Sequence, residues 1–189
     1  LLVEGGKACG ILCETGENFY APVVILATGT YLQSKIIIGE LVVESGPNGL
    51  RRSEQLTESL RKLGLNLFRF KTGTPARIDE RSVDYSKMVI QPGDEEPRRF
   101  SHLPDDFTPL GHKPCYLTHS NQLTHDIIRN NMHRSPLYSG MIEGTGTRYC
   151  PSIEDKVVRF GEKESHPIFI EPEGMDTREL YVQGFSSSL

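Results

Sequence analysis

Residues 23–30 read Val-Val-Ile-Leu-Ala-Thr-Gly-Thr, and this stretch does more than any other to decide the fold class. Its first four residues are apolar at every position, as in a strand that is buried on both faces of a parallel sheet. Its last four are small residues, which allow a tight turn. Because α/β sheets bind ligands beyond the carboxyl ends of their strands, Ala27, Thr28, Gly29 and Thr30 are candidates for a ligand-binding turn. The alternative from these residues alone is a tight strand-to-loop turn without a ligand.

Helix and strand signals alternate on both sides of this stretch. Upstream, residues 7–14 and 19–27 are strand-like and the turn-like residues 15–18 separate them, which predicts a hairpin. The elements predicted downstream are a β-rich run at 35–44, a helix that begins after Ser53 and ends at Gly64, a strand at 65–70, helices at 121–131 and 151–160, and a strand at 168–171. Strands that alternate with helices indicate an α/β fold.

Composition excludes several classes of protein. The chain has 189 residues with no apolar run of about eighteen, so a transmembrane protein is not expected. A formal net charge of −4 argues against a protein that holds nucleic acid by bulk charge, so any such contact needs a local patch. The four cysteines form no CxxC pair, which favours reduced thiols and a cytoplasmic location.

Metal binding is not predicted. His119 and His125 lack the HExxH spacing of a zinc site and no cysteine pair supports them, so both are interpreted as surface histidines. The chain starts at Leu1 without Met or a signal peptide and ends without a closing helix, and we expect it to be a piece of a longer protein.

Cys150 is the candidate catalytic residue. Ser152 and Asp155 have the spacing of a capping box, so a helix is predicted to begin at Ser152. Cys150 then lies just before a helix N-terminus, where the partial positive charge favours a thiolate, and Arg148 adds to this charge. The alternative from the residues alone is an inert packing cysteine.

Basic residues flank the same predicted helix. Arg148, Lys156 and Arg159 are close enough in sequence to contact a phosphate, whereas the alternative is a solvated, positively charged helix face.

A fifteen-residue block around Cys150 carries a family resemblance. The block reads Gly146-Thr147-Arg148-Tyr149-Cys150-Pro151-Ser152-Ile153-Glu154-Asp155-Lys156-Val157-Val158-Arg159-Phe160. It resembles the signature of the MnmG (GidA) family of tRNA uridine 5-carboxymethylaminomethyl modification enzymes. Residues 71–79, 114–119, 134–138 and 168–174 also match, in order, so the resemblance covers essentially the whole chain.

The resemblance implies a fold and a domain organisation. The fold would be an FAD-binding, Rossmann-like domain of the two-dinucleotide-binding type with an inserted α/β domain. Residues 1–75 and 146–189 would belong to the FAD domain and residues 76–145 to the insertion. The chain would be the central part of the enzyme, between the glycine-rich FAD loop and the C-terminal helical part, and would be inactive alone.

The resemblance also implies an activity and its cofactors. The family modifies the wobble uridine of tRNA at C5, reduces FAD with NADH, takes a one-carbon unit from methylenetetrahydrofolate, and adds glycine or ammonium. Its partners are tRNA and the MnmE GTPase, and the complete protein would be a homodimer without a membrane segment.

Site residues carry over by position. Cys150 matches a catalytic cysteine, residues 27–30 and Ser53 match FAD contacts, and residues 146–160 match a stretch assigned to NAD. Arg148 and Lys156 are candidates for tRNA phosphate contacts. The sequence departs from the family around Ser53, where Arg52 replaces a small residue or proline and Glu54 follows.

Two other functions remain open at this point. One is a flavoprotein of related fold that methylates tRNA uridine with a folate donor, which the block around Cys150 disfavours. The other is a non-catalytic module that binds RNA or a protein partner.

Overall fold

The computed structural model of the chain describes residues 1–96, 98–103, 111–142 and 144–189. It divides into two compact units, Leu1–Arg69 and Phe70–Leu189, which are described separately below. Within the described residues, no helix has the length and the apolar character needed to cross a bilayer.

The first unit consists of short antiparallel ladders and one helix. Strands β1 to β3 form a three-stranded sheet, strands β4 and β5 form a separate hairpin, and helix α1 follows. The bounds are β1 Leu2–Glu4, β2 Lys7–Leu12, β3 Asn18–Tyr20, β4 Ile36–Ile38, β5 Leu41–Val43 and α1 Gln55–Lys62. The predicted hairpin is therefore confirmed for β2 and β3, but β3 ends at Tyr20 rather than residue 27.

The predicted buried strand at 23–26 is wrong for this chain. Residues 23–28 adopt no regular secondary structure, and Ile25 leaves 86% of its surface exposed. The physical reason is the lack of a partner: no backbone group of residues 23–27 bonds to another residue that the structure describes. An apolar run satisfies its backbone as a strand only when a neighbouring strand accepts its hydrogen bonds.

The two ends of α1 differ in how well the sequence predicts them. The N-cap is Glu54 without a side-chain bond, and not Ser53, whose backbone forms a parallel bridge with Leu32. The C-terminal end is confirmed: Gly64 has a φ of +85°, and its N–H donates to the Arg61 carbonyl. Many helices end with a residue in the left-handed conformation, and glycine adopts this conformation without strain.

The second unit is built on a five-stranded antiparallel sheet with the strand order β7-β12-β11-β9-β8. A short parallel pair, β6 and β10, lies outside that sheet. The bounds are β6 Phe70–Lys71, β7 Pro75–Asp79, β8 Val89–Gln91, β9 Cys115–His119, α2 Gln122–Asn131, β10 Thr145–Gly146, α3 Ile153–Arg159, β11 Pro167–Pro172 and β12 Glu179–Ser186. The predicted strand at 65–70 is reduced to β6.

Two buried clusters hold the second unit together. Ile168, Ile170 and Leu180 form the first on the central strands β11 and β12. Ile128 of α2 packs against Ile153 and Val157 of α3 in the second. Helices α2 and α3 therefore share one apolar contact, and it includes Phe185 of β12.

The helices of the second unit begin where the sequence predicts. Asn121 caps α2 by accepting from the backbone N–H of Thr124, and Ser152 caps α3. The predicted strand at 168–171 is also confirmed within β11. The three-part division of the chain at residues 75 and 145 stays a prediction; in the structure, strands from both sides of residue 146 share the five-stranded sheet.

Candidate functional site

Several stretches that carry the family resemblance meet around β10. Strand β6 pairs in parallel with β10 and aligns Lys71 with Gly146. A β-carbon built on Gly146 would lie 3.5 Å from the Leu137 side chain and 3.2 Å from a carboxylate oxygen of Asp155. Residues 71–79, 134–138 and 146–160, which are far apart in sequence, therefore contribute to one region.

The capping box at the start of α3 is confirmed. The Ser152 hydroxyl oxygen accepts from the Asp155 N–H at 3.3 Å, and the Asp155 carboxylate accepts from the Ser152 N–H at 3.3 Å. The Ser152 hydroxyl also donates to this carboxylate at 3.1 Å. Two side chains thereby satisfy backbone donors that the first turn of the helix would otherwise leave unpaired.

Asp155 also binds the segment that precedes β10. The Tyr138 hydroxyl donates to the second carboxylate oxygen at 2.9 Å, and the Arg159 guanidinium lies 4.0 Å from that oxygen. Burial and the hydrogen bond to Asp155 together raise the pKa of Tyr138 to about 12. The phenol therefore remains a donor to the buried carboxylate throughout the physiological pH range.

Cys150 lies at the surface, on a turn between β10 and α3. Its thiol is free and exposed, and its carbonyl accepts from the Thr147 hydroxyl at 2.7 Å. Tyr149 leaves 90% of its surface exposed, and the Arg148 guanidinium carbon lies 5.3 Å from the centre of that ring. The turn thus presents a thiol, an aromatic ring and a cation side by side.

Lys156 has a different environment from that expected of a solvated lysine. It is half-buried, and its ammonium donates to the Gly184 carbonyl of β12 at 2.7 Å. Burial lowers the pKa of this ammonium, while the negative charge of an ionised Cys150 acts in the opposite direction. Lys156 therefore links α3 to β12 and lies within electrostatic range of the thiol.

Glu154, two positions before Lys156, is fully buried. One carboxylate oxygen accepts from the Ser187 hydroxyl at 2.8 Å and from the Ser188 N–H at 2.9 Å. The other oxygen has no hydrogen-bond partner among the described residues. Glu154 fastens the end of the chain to α3.

The residues predicted to bind FAD lie in the first unit. Residues 27–30 follow the irregular segment, and the Tyr31 N–H donates to the Thr28 carbonyl at 3.3 Å to close a turn. Gly29 has a φ of +53°, and a β-carbon on it would meet nothing closer than Tyr31, at 3.9 Å. Ser53 is half-buried at the bridge with Leu32.

The interpretation of His125 as a surface histidine is wrong, whereas His119 is exposed as expected. His125 is fully buried, its Nε2 lies 2.7 Å from the Ser120 hydroxyl, and its ring centre lies 5.3 Å from that of His166. The physical reason is its place on the inner face of α2, next to Ile128. Within the described ranges no group of three or more histidine, cysteine or carboxylate side chains is arranged to hold a metal ion.

Sequence reasoning missed the role of Tyr138. The residue belongs to a stretch that matches the family, but nothing in its local pattern indicates a contact with Asp155, seventeen positions away. The one signal for such a partner is that a capping box uses only one oxygen of its carboxylate, which leaves the other oxygen of Asp155 to accept from another residue.

Comparisons with known proteins agree with one another. The family model for "Glucose inhibited division protein A" (GIDA) matches residues 1–189. The "tRNA uridine 5-carboxymethylaminomethyl modification enzyme MnmG" of Bacillus licheniformis is 55% identical over the whole chain, and that of Heliobacterium modesticaldum is 57% identical. The chain spans 30% of the length of each of these relatives.

A solved structure gives the same result. GidA of Aquifex aeolicus, in its form I crystal, covers the entire chain with a TM-score of 0.84 and 43% identity, over 32% of its own length. The likeness confirms the predicted α/β fold class. By sequence and by structure, the chain belongs to the glucose-inhibited division protein A family.

Proposed function

We propose that the complete protein containing this chain modifies the wobble uridine of tRNA at C5, adding a carboxymethylaminomethyl group. The observation that carries the proposal is the segment 146–160, in which the exposed Cys150 lies on a turn held by Asp155 and near Lys156. The names of relatives more than half identical to the chain support the same activity.

Cys150 supplies the chemistry that a pyrimidine requires. C5 of uracil becomes nucleophilic when a thiolate adds to C6, because the addition places electron density on C5. C5 then forms its new carbon–carbon bond, loses its proton, and expels the thiolate from C6. The second role open to Cys150 is proton transfer to or from an intermediate, beside another cysteine of the complete protein.

The neighbours of Cys150 suit a nucleic-acid substrate. The ammonium of Lys156 lies within electrostatic range of the Cys150 thiol and adds positive charge beside the turn. Arg148 and the exposed ring of Tyr149 provide a cation for a phosphate and a flat surface for a base. Because Lys156 already donates to Gly184, Arg148 is the stronger of the two candidates for a phosphate contact.

FAD and NADH complete the proposed reaction. The turn at 27–30 fits close approach of a nucleotide, because the space above Gly29 is open and its backbone is left-handed. FAD supplies the redox chemistry when bound, with NADH as its reductant at residues 146–160 and methylenetetrahydrofolate as the one-carbon donor. The family resemblance supports tRNA and the MnmE GTPase as partners, a homodimer, and action in the cytoplasm.

Cys150→Ser in the complete protein tests the central assignment. We expect normal FAD content and tRNA binding but at least about a 100-fold loss of modified wobble uridine, because a positioned acid–base group or nucleophile contributes about that much. The measurement is mass spectrometry of digested tRNA. Cys115→Ser, in the half-buried strand β9, is the matched control and retains activity. Substantial product from the Cys150 variant would contradict the assignment.

A modified substrate separates the two roles of Cys150. With 5-fluorouridine at the wobble position, C5 carries fluorine and cannot lose a proton, so a thiolate added at C6 stays attached. A covalent adduct that maps to Cys150 identifies the nucleophile. Its absence, together with an inactive Cys150→Ser variant, assigns proton transfer.

Gly29→Val tests the placement of FAD. The variant should lose bound flavin, measured by absorbance of the purified complete protein, because a bulky side chain would fill the open space above the turn. The control is Gly39→Val, since Gly39 has a φ of +57° and equally open surroundings in the β4–β5 turn. Equal flavin content in both variants would argue against this turn as the FAD site.

A further inference from the structure

The turn that carries Cys150 has little to hold it in place. Inside it, the structure shows one side-chain hydrogen bond, from Thr147 to the Cys150 carbonyl. Tyr149 and Cys150 are exposed and pack against no buried cluster. Whatever fixes the direction of the thiol must therefore act at the two ends of the turn.

Asp155 acts at both ends. After the turn, its carboxylate accepts from the N–H and the hydroxyl of Ser152. Before the turn, the backbone of Gly146 lies so close that a β-carbon there would be 3.2 Å from the same carboxylate. Asp155 is nearly fully buried and its hydrogen bonds to Ser152 are buried as well, so the loss of one of them is costly.

Tyr138 fixes the position of this carboxylate. Its own backbone N–H donates to the Ser135 carbonyl at 3.0 Å, within a turn whose Ser135 and Pro136 are fully buried. The ring leaves 40% of its surface exposed, but the hydroxyl is directed at Asp155. The donor thus belongs to a residue whose backbone is bonded to a buried turn.

We propose that Tyr138 and Asp155 are positioning residues, which hold the turn at 146–152 so that the Cys150 thiol faces its substrate. This inference rests on the proposed function, because it requires Cys150 to take part in the reaction. Neither residue touches the reacting atoms. Tyr138 acts through Asp155, and Asp155 acts through the backbone of Gly146 and Ser152.

Removal of the Tyr138 hydroxyl leaves the Arg159 guanidinium, 4.0 Å away, as the one polar side chain that the described residues place near this carboxylate oxygen. The carboxylate then turns toward that charge and releases its contacts with the turn. A shift of the reacting group by about 1 Å is enough to cost about 100-fold in rate.

The test is Tyr138→Phe in the complete enzyme, with Tyr85→Phe as the matched control. Tyr85 is a partly buried tyrosine in the second unit, packed against Tyr116 and far along the chain from the turn. We expect Tyr138→Phe to lower kcat by about 10- to 100-fold with unchanged KM for tRNA and unchanged flavin content. The rate of Cys150 alkylation by iodoacetamide should change at least threefold. Tyr85→Phe should alter neither kcat nor the rate of Cys150 alkylation.

A second variant tests the order of action. If Tyr138 works through Asp155, the double variant Tyr138→Phe/Asp155→Asn is no slower than Asp155→Asn alone, because the two changes break one chain of contacts. Rate losses that multiply would overturn this order. A general loss of stability would lower the folded fraction without changing kcat per folded enzyme.

Failure of this inference is distinguishable from failure of the proposed function. If Cys150→Ser is inactive while Tyr138→Phe has wild-type kcat or wild-type alkylation, the positioning role is overturned and the function stands. If Cys150→Ser is active, the assignment of Cys150 fails and the positioning role fails with it.

Discussion

In the second unit the apolar strand β11 is covered, whereas in the first unit an equally apolar segment is exposed. Strand β11 pairs with β12 on one side and β9 on the other, and its Ile168 and Ile170 are buried. Residues 23–26 are apolar at every position, yet Val23 and Ile25 leave 70% and 86% of their surfaces exposed. An apolar pattern thus shows that a segment is suited to a buried strand. Whether the strand forms depends on neighbouring strands that pair with it among the described residues.

The largest expected difference between the two units is in the cost of losing an isoleucine. Ile170→Ala should reduce the free energy of unfolding by about 2–5 kcal/mol, because it leaves a cavity in the cluster with Ile168 and Leu180. Ile25→Ala should change it by less than about 0.5 kcal/mol, because the side chain is already in solvent. Chemical denaturation of the chain measures both values. A comparable loss of stability in Ile25→Ala would contradict the exposed position of Ile25.

A smaller difference is expected between two serines that the sequence presents alike. Ser152→Ala should cost about 1 kcal/mol, because its hydroxyl accepts from the Asp155 N–H at the start of α3. Ser53→Ala should be nearly neutral, because the N-cap of α1 is Glu54 and has no side-chain bond. Hydrogen exchange read by mass spectrometry locates each effect in its own helix. Faster exchange in α1 of the Ser53 variant would show that Ser53 caps it after all.

The smallest expected effect is a pH dependence confined to the second unit, which contains all six histidines. Burial, followed by the neighbouring charge of His125, lowers the pKa of His166; Lys156 and Lys163 act in the same direction and Glu162 opposes them. The folded state therefore binds fewer protons than the unfolded one. The resulting stability is present above about pH 6.5 and is lost as the pH falls through the lowered value.

Melting curves between pH 7.5 and 5 test this dependence. His166→Asn should make the loss of stability toward acid pH shallower, whereas His133→Asn, at an exposed position, should leave it unchanged. Equal slopes for the two variants would mean that burial of His166 has no effect on stability.

The features that the sequence predicted correctly are those decided within a few residues. The capping box of Ser152 and Asp155 and the left-handed Gly64 each depend on neighbours at most five positions away.

The features that the sequence could not predict depend on distant partners. The strand at 23–26 needs a neighbour to accept its hydrogen bonds, and Ser53 is used by a bridge to Leu32 instead of by α1. The contact of Tyr138 with Asp155 spans seventeen positions and crosses β10. For the candidate site, the block around Cys150 could be recognised from the sequence. The contacts of Tyr138 and Asp155 that hold this block could be found only in the structure.

The order of strands in the five-stranded sheet has a consequence for synthesis on the ribosome. Among the five strands, β11 and β12 are made last, and β12 is the only strand paired with β7 in the described part of the chain. The edge strand β7 therefore waits for about a hundred residues to emerge before its partner exists, while the hairpins of the first unit close as soon as they are made. During that interval the apolar faces of β7, β8 and β9 are open to chaperones and to misassembly. A translational pause placed before residue 167 would lengthen this interval, and one placed after residue 186 has emerged would not.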